Sequence, residues 1–371
     1  MIKILFFVEN LSSGGAEKVL RTLVNNMDQS RFDITVMTVW PEPADEYLVP
    51  GIHYRSLYAR WNRFNHMRFR LEAALNLTYR LHIHGGYDIE VAYLECGPTK
   101  IMAGSTNRKA LKLAWVHCDL KQKFVNAVRA VRTSKKWYSK YHKVVCVSEN
   151  VKQSYTELFG TVPESVVVHN VNDETQVLRK AAEARAESPS LPTFIAVGRL
   201  SPEKGNDRLL EACARLKRSG YSFRCWLIGD GPERQRLEDI IAQNDLHEYV
   251  EQLGFQSNPY PYMAAADFLV CPSRFEGFST VVTEALILGK PVLTTACSGM
   301  SELLGNSEYG LITENSTDGI YQGLKKLLDD PCLLKEYEIL ARERGRVFYK
   351  ANLLKQTEDF FINALEARTA Q

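Results

Sequence analysis

The chain lacks the long apolar runs, cysteine patterns and charge excess that would settle its class at once. No apolar stretch approaches the ~20 residues that a membrane-crossing helix needs. The N-terminal segment MIKILFFVEN is short and turns acidic at Glu9, so it reads as a first buried strand and not as a signal peptide. Eight cysteines are scattered with no Cys-x-x-Cys, the pattern of reduced, mostly buried thiols and not of a disulfide framework. His82, His84, Cys96, His117 and Cys118 fall at spacings that match no zinc site. The net charge is only +2, and no nucleic-acid recognition module accompanies the basic stretches. No internal repeat is present.

What remains is the composition of a soluble globular protein, with 45% hydrophobic and 24% charged residues. A length of 371 residues favours two domains. The charge is unevenly spread, with 26 basic against 19 acidic side chains over residues 1–190 and 20 against 25 over residues 191–371. That asymmetry supports two lobes with different partners. Apolar β-rich runs alternate with helical periods along the whole chain, which predicts a doubly wound α/β architecture.

The most informative stretch is Cys271 to Pro291. An apolar strand ending at Cys271 feeds a loop, and a helix is expected over Thr280 to Leu288 before Gly289. Glu276 stands in the loop and Glu284 about two helical turns on, with seven residues between them. Glu284 is placed to accept from the vicinal hydroxyls of a ribose. The backbone N–H groups at Phe278 and Ser279 can meet a phosphate or sugar oxygen, and Glu276 can accept from sugar hydroxyls. Two solvated charges at a helix end would show the same spacing.

Upstream, a strand over Thr193 to Val197 runs into Gly198-Arg199-Leu-Ser-Pro-Glu-Lys204-Gly205. Arg199 and Lys204 on this loop suit a diphosphate clamp, because cations there neutralise charge on a departing phosphate. A second strand leads to Gly229-Asp230-Gly231, and the loop after Val250 to Phe255 offers Leu253 or Phe255 to a flat base.

In the first half, a strand over Ile2 to Val8 meets Gly14-Gly15 and a helix, so either a plain tight turn or a close approach of ligand to backbone is expected. His117 follows the strand Leu111 to Val116 at the edge where open parallel sheets bind ligands. It suits a sugar hydroxyl or a phosphate, though a hydrogen-bonded loop histidine fits equally. Leu71 to Leu81 is expected to be one helix, Asn170 ends another strand, Thr175 to Ser190 is expected to connect the lobes, and the tail from Leu333 to Ala367 is expected to be helical throughout. Between Lys121 and Lys143 eight cations alternate with Phe124, Val125, Val128, Trp137 and Tyr138, with Asp119 the one acid nearby in sequence. A solvated helix face or an interfacial patch for anionic lipid are both consistent with that pattern.

Together these motifs resemble the family 4 retaining glycosyltransferases of the two-lobed GT-B fold. The resemblance rests on Gly14-Gly15-Ala-Glu17, Gly198 to Gly205, Gly229-Asp-Gly231, Glu276-Gly-Phe-Ser-Thr-Val-Val-Thr-Glu284 and Gly289-Lys-Pro291, and the wording around Glu276 is similar to bacterial capsule and exopolysaccharide enzymes. It implies two Rossmann-like parallel-sheet lobes facing a central cleft. Residues 1–175 would bind acceptor, with a C-terminal helix near 353–371 packing back on them, and residues 190–350 would bind the nucleotide-sugar. It further implies a UDP-sugar donor, a lipid-linked glycan acceptor, and a cytoplasmic enzyme peripheral to the bacterial membrane. Arg199 and Lys204 would hold the diphosphate, Glu284 the ribose, Glu276 with the backbone of Phe278, Ser279 and Thr280 the hexose. Gly14, Gly15, Asn170 and His117 would line the other side. Ser279 stands where many members have glycine or proline. No Asp-x-Asp occurs, which agrees with cations in place of a metal, and no cofactor is expected. A UDP-sugar 2-epimerase of the same fold and a non-catalytic sugar-binding subunit are the alternatives.

Overall fold

The computed structural model describes residues 1–12, 14–183 and 190–370. The chain folds into two compact units, Met1–Val171 with the C-terminal stretch from Ala351, and Asn172–Lys350.

The first unit is built on a seven-stranded, wholly parallel sheet. Its strands are β1 (Ile2–Phe7), β2 (Phe32–Thr38), β3 (His53–Ser56), β4 (Ile89–Ala92), β5 (Leu111–Val116), β6 (Lys143–Cys146) and β7 (Glu164–Val167), in the order β3-β2-β1-β4-β5-β6-β7. Ile4 to Val8 are completely buried, as an unbroken apolar run requires when helices cover both faces of a sheet. The last helix, Lys350–Thr369, belongs to this unit from Ala351 onward. Its Phe361 packs at 5.9 Å against Phe6 and 6.5 Å against Phe32. Glu358 one turn earlier accepts from the Asp28 amide at 2.8 Å.

The second unit has a six-stranded parallel sheet: β8 (Thr193–Val197), β9 (Arg224–Ile228), β10 (Val250–Gly254), β11 (Phe268–Cys271), β12 (Val292–Thr295) and β13 (Leu311–Thr313), in the order β10-β9-β8-β11-β12-β13. Phe194 stacks between Phe223 and Phe268 at the centre of its core. The doubly wound α/β architecture read from the sequence is therefore what forms, once in each unit.

Three local readings need correction. The helix expected over Leu71 to Leu81 is two helices, Arg63–Ala74 and Thr78–His82. Asn76 adopts a left-handed φ of 56° between them, a conformation that Asn tolerates better than most residues. The break turns Tyr79 inward, where its hydroxyl donates to buried Glu90 at 2.6 Å. The expected connector Thr175 to Ser190 begins as a helix of the second unit, Glu174–Ala182, capped by the Asp173 carboxylate and packed on the helices Tyr260–Ala265 and Thr280–Ile287; residues 184–189 lie outside the described residues. The C-terminal tail is not one continuous helix. Pro331–Gly345 passes through a 3-10 turn, Arg346–Phe348, and extended Tyr349 before the last helix starts.

Candidate active site

Both sheets reverse strand order once, and in an open parallel sheet the crevice at such a reversal, beyond the C-terminal ends of the strands, is where ligands bind. In the second unit the reversal falls between β8 and β11. The loops leaving those two strands carry the charged residues of the Gly198 and Glu276 motifs.

The loop after β8 ends in the 3-10 turn Pro202–Lys204 and Gly205, whose φ is 67°. A Cβ at Gly205 would lie 2.2 Å from the Pro272 carbonyl oxygen, so glycine is what lets this loop press against the one after β11. Gly229, after β9, meets the Gly198 carbonyl in the same way, at 1.8 Å from its absent Cβ. Arg274 braces the two loops with hydrogen bonds to both Asp207 carboxylate oxygens at 2.8 and 2.9 Å and to the Pro202 carbonyl at 2.6 Å.

Within this frame Lys204 Nζ donates to Glu276 Oε1 at 2.7 Å, and Ser273 Oγ donates to the same oxygen at 2.6 Å. Burial alone would lower the Lys204 ammonium; the adjacent Glu276 carboxylate outweighs it and raises its pKa. Gly198, Lys204, Asn206, Ser273 and Glu276 line one small pocket. Arg199 is not part of this cluster. It is exposed, and its side chain makes no hydrogen bond or ion pair among the described residues. Of the two cations expected to hold a diphosphate, Lys204 pairs with Glu276 and Arg199, five residues before it on the same loop, does not.

Downstream, the helix Thr280–Ile287 starts at Ser279, which sits at the N-cap but makes no capping bond with its side chain. Ser279 is buried, and its hydroxyl has no hydrogen-bond partner among the described residues. The Phe278 ring packs edge-on to Phe348 at 6.0 Å, so only its backbone is available to a ligand. Glu284 is buried in the helix, and neighbouring Thr283 donates to Asn172 at 3.1 Å. Leu253 is half-buried at the end of β10, and Phe255 just beyond it is 75% exposed. Reading the motifs one at a time overlooks Ser273, Arg274 and Asp207. Their signal was proximity to Glu276 and to Gly205 in the two motifs that meet.

In the first unit the reversal lies between β1 and β4. Gly14 precedes the helix Gly15–Asn26 with φ 101°, and the Glu17 carboxylate folds against it, 2.3 Å from where a Cβ would sit. Burial raises the Glu17 pKa to about 7, with Glu95 and Glu9 adding like-charge repulsion. Glu95, just past β4, is buried. It accepts from Lys123 Nζ at 2.8 Å, the His117 amide at 3.1 Å and the Cys118 thiol at 3.2 Å. Burial works against its charge, but Lys123 and these donors win and its pKa falls to about 2. The His117 ring packs at a tilt on Tyr93, 4.7 Å between centroids, and its buried Nε2 has no partner among the described residues. Burial lowers its pKa to about 4, against the pull of Glu95, so at neutral pH it presents an uncharged imidazole and not a cation for phosphate. Asn170 is buried beyond β7.

The basic run is less uniform than its sequence. Lys121 pairs with Glu157, Lys123 with Glu95 and Lys143 with Glu164, acids brought in by the fold and remote in sequence. Arg129, Arg132, Lys135 and Lys136 remain exposed on the helix Val128–Tyr138. Among the described residues no helix is long and apolar enough to cross a membrane, and no three His, Cys, Asp or Glu side chains gather into a metal-binding group.

Comparison with known proteins agrees with this anatomy. Residues 13–175 match the family model for Glycosyltransferase Family 4, and residues 179–344 match that for Glycosyl transferases group 1. The chain is 29% identical over 374 aligned positions to the N-acetylgalactosamine-N,N'-diacetylbacillosaminyl-diphospho-undecaprenol 4-alpha-N-acetylgalactosaminyltransferase of Campylobacter jejuni, covering 98% of this chain and 100% of that one. It is 24% identical to an uncharacterised glycosyltransferase of Haemophilus influenzae over 90% of this chain and 92% of the relative. Among solved structures, Anabaena HepE in complex with UDP and glucose superposes with a TM-score of 0.78 at 19% identity, covering 97% of this chain and 99% of that one. The lipopolysaccharide outer core galactosyltransferase WaaB in its apo form gives a TM-score of 0.69 at 16% identity, over 99% and 100% of the two chains. Two parallel-sheet units, each with its charged loops at the strand-order reversal, and family matches running from residue 13 to residue 344 lead to one conclusion: the chain belongs to the family 4 glycosyltransferases of GT-B fold.

Proposed function

We propose that the chain transfers a hexose or N-acetylhexosamine from a UDP-sugar to a lipid-linked glycan, with retention of anomeric configuration and without a metal, in the synthesis of a bacterial surface polysaccharide or glycoconjugate. The observation that carries this reading is the Lys204–Glu276 pair at the β8/β11 reversal. A bound diphosphate competes with Glu276 for the ammonium, and Arg199, exposed on the same loop, is free to join it. Glu276 then accepts from the hydroxyls of the hexose, together with the backbone N–H groups at Phe278, Ser279 and Thr280. Glu284 takes the ribose, and Phe255 with Leu253 takes the flat base. In the first unit, Gly14–Gly15 allow close approach of an anion to backbone, while Asn170 and neutral His117 are offered to hydroxyl groups of sugar. The first unit is assigned to acceptor and the second to donor. The Campylobacter relative, whose name specifies a diphospho-undecaprenol-linked acceptor, supports a lipid-linked substrate.

In the retaining step the bond from the sugar anomeric carbon to the diphosphate oxygen breaks, and the acceptor oxygen bonds to that carbon on the same face. The acceptor proton passes to the departing diphosphate oxygen. Lys204 and Arg199 stabilise the charge that accumulates there, so the protein supplies positioning and electrostatics more than acid–base chemistry. The enzyme then works on the cytoplasmic face of the membrane, peripheral to it, where the exposed cations of the Lys121 to Lys143 stretch favour anionic lipid.

The decisive measurement is product analysis by mass spectrometry from a panel of UDP-sugars, each with and without polyprenyl-diphosphate-linked acceptors. Transfer with an α-linked product from an α-linked donor is expected. Conversion of the donor with no acceptor present would mark a UDP-sugar 2-epimerase instead, and binding without turnover a non-catalytic subunit.

A further inference from the structure

The helix Arg63–Ala74 shows opposite chemistry on its two faces, and the apolar stripe faces outward. Toward the body of the first unit, Phe69 packs on Trp40 at 5.9 Å and on Tyr58 at 6.1 Å. Glu72 is buried there, accepting from Tyr58, Arg68 and His82. On the opposite face Phe64, Met67, Leu71 and Leu75 are 72%, 70%, 61% and 59% exposed, and Trp61, just ahead of the helix, is 63% exposed. Spacings of three and four residues put the four positions in one stripe. At ~100° per residue Arg63 and Arg70 border that stripe on one side and Arg68 on the other. Between Arg60 and His84 the only acidic residue is Glu72, which the buried network occupies.

Large apolar side chains exposed in a continuous row on a folded surface mark an interaction site, and the cationic border identifies the partner. We propose that this face lies in the plane of an anionic lipid bilayer, with Phe64, Met67, Leu71 and Leu75 among the acyl chains and Arg63, Arg68 and Arg70 at the headgroups. A second copy of the chain fits poorly, because a two-fold contact would set arginine border against arginine border, and the acid of this segment, Glu72, is buried. The surrounding layer is consistent. The helix touches Thr78–His82, which touches Gly97–Met102, which touches Val128–Tyr138 with its four exposed cations, so the charged helix lies in the same helical layer as the apolar stripe. The Lys121 to Lys143 stretch contributes attraction, and Arg63–Ala74 is the element that inserts.

This inference extends the reading of a lipid-linked acceptor, and its binding test uses neither donor nor acceptor. The intact chain is sedimented with vesicles of phosphatidylcholine alone or with about a third phosphatidylglycerol, at low and high salt. Binding is expected to the anionic vesicles, weakened but not abolished by salt. A Phe64→Ser, Met67→Ser, Leu71→Ser variant, altered only at exposed positions, should keep its melting temperature and lose roughly 30-fold in vesicle partitioning. Arg63→Gln with Arg70→Gln should lose roughly tenfold and flatten the salt dependence. Lys135→Gln with Lys136→Gln should lose less than either. Absence of wild-type binding, binding unchanged in the apolar variant, or an apolar variant that merely dissolves a dimer seen by light scattering would overturn the proposal. Turnover of a soluble acceptor lacking the polyprenyl chain is expected to be unchanged in the apolar variant. If no transfer occurs with any acceptor while vesicle binding follows this pattern, the catalytic reading fails and the membrane face stands.

Discussion

Each unit sets a lysine against a glutamate beyond the C-terminal ends of its sheet, at nearly the same distance, 2.8 Å for Lys123–Glu95 and 2.7 Å for Lys204–Glu276. Their surroundings differ. Glu95, just past β4, also accepts from a backbone amide and a thiol, and its three donors occupy both carboxylate oxygens. Glu276, in the loop after β11, accepts from Lys204, from the Ser273 hydroxyl and, at 3.9 Å, from the Cys271 thiol, all on Oε1, and its pair lines a pocket. The first pair is a brace: its partners leave no room for exchange. The second is a pair that an anion can open, since a diphosphate offers the ammonium more charge than one carboxylate does. The distance alone does not separate a structural ion pair from a functional one; whether both carboxylate oxygens are held by the fold does.

The largest effect follows from that distinction. Lys204→Ala should lower kcat by roughly 10²–10³, the size of losing one preorganised donor to developing charge, about 2.7–4 kcal/mol in the transition state. Stability should change by less than about 1 kcal/mol, because Ser273 continues to serve Glu276. Steady-state kinetics beside a denaturant titration reads both. A variant that unfolds readily but turns over normally would erase the contrast between the two pairs.

The converse holds for the other pair. Lys123→Met should cost about 1–3 kcal/mol in urea unfolding, since it leaves buried Glu95 with neutral donors only. The kcat of the folded fraction should stay within a few-fold of wild type.

How much of this was legible from the sequence depends on the range of the interaction. Unbroken apolar runs such as Ile2 to Val8 and Thr193 to Val197 require burial on both faces, and glycines at 205 and 229 mark close backbone approaches, so strands and loop motifs could be read locally. The two-helix break at Asn76 could not, because it is set by Tyr79 reaching Glu90 across the fold. Likewise Arg199 and Lys204 look equivalent five residues apart, yet only the second meets Glu276, 72 positions away. The brace at Glu95 and the pairing of Lys121 and Lys143 with remote acids were invisible for the same reason. The outward stripe from Phe64 to Leu75 was present in the sequence as an apolar period, but its period alone does not say which face is covered.

Acid separates the two units further. His117 titrates at about 4 when folded, against an ordinary value of 6.5, so the unfolded chain binds the extra proton first between those values. Its contribution to stability is full above about 6.5 and is lost as pH falls toward 4. Glu95, depressed to about 2, follows the same sign lower down, losing its contribution as pH falls from about 4.5. Glu17, raised to about 7, has the opposite sign and loses its contribution as pH rises through that value. A His117→Gln variant isolates the first of these, because Glu17 and Glu95 titrate in both proteins. Between pH 7 and pH 4.5 wild type should lose roughly 1–2 kcal/mol more stability than the variant in paired denaturant titrations. Parallel curves would mean the imidazole is solvated and the first unit is less rigidly closed around it than its neighbours indicate.

The smallest effect concerns the second unit alone. Ser279 is buried at the start of the helix Thr280–Ile287, its hydroxyl neither capping the helix nor bonded to any described residue, next to the loop that carries Glu276. A hydroxyl so placed can discriminate between sugars that differ in one substituent, since the donor that leaves it unpaired is disfavoured. Ser279→Gly removes it without disturbing a φ of −71° that any residue adopts. The melting temperature should move little, because no hydrogen bond is lost. The ratio of kcat/KM for two UDP-sugars epimeric at one carbon should shift by roughly three- to tenfold, with the preferred donor losing more. An unchanged ratio would leave sugar choice to the backbone donors and Glu276, and would make the two units alike in reading their ligands through main chain and charge.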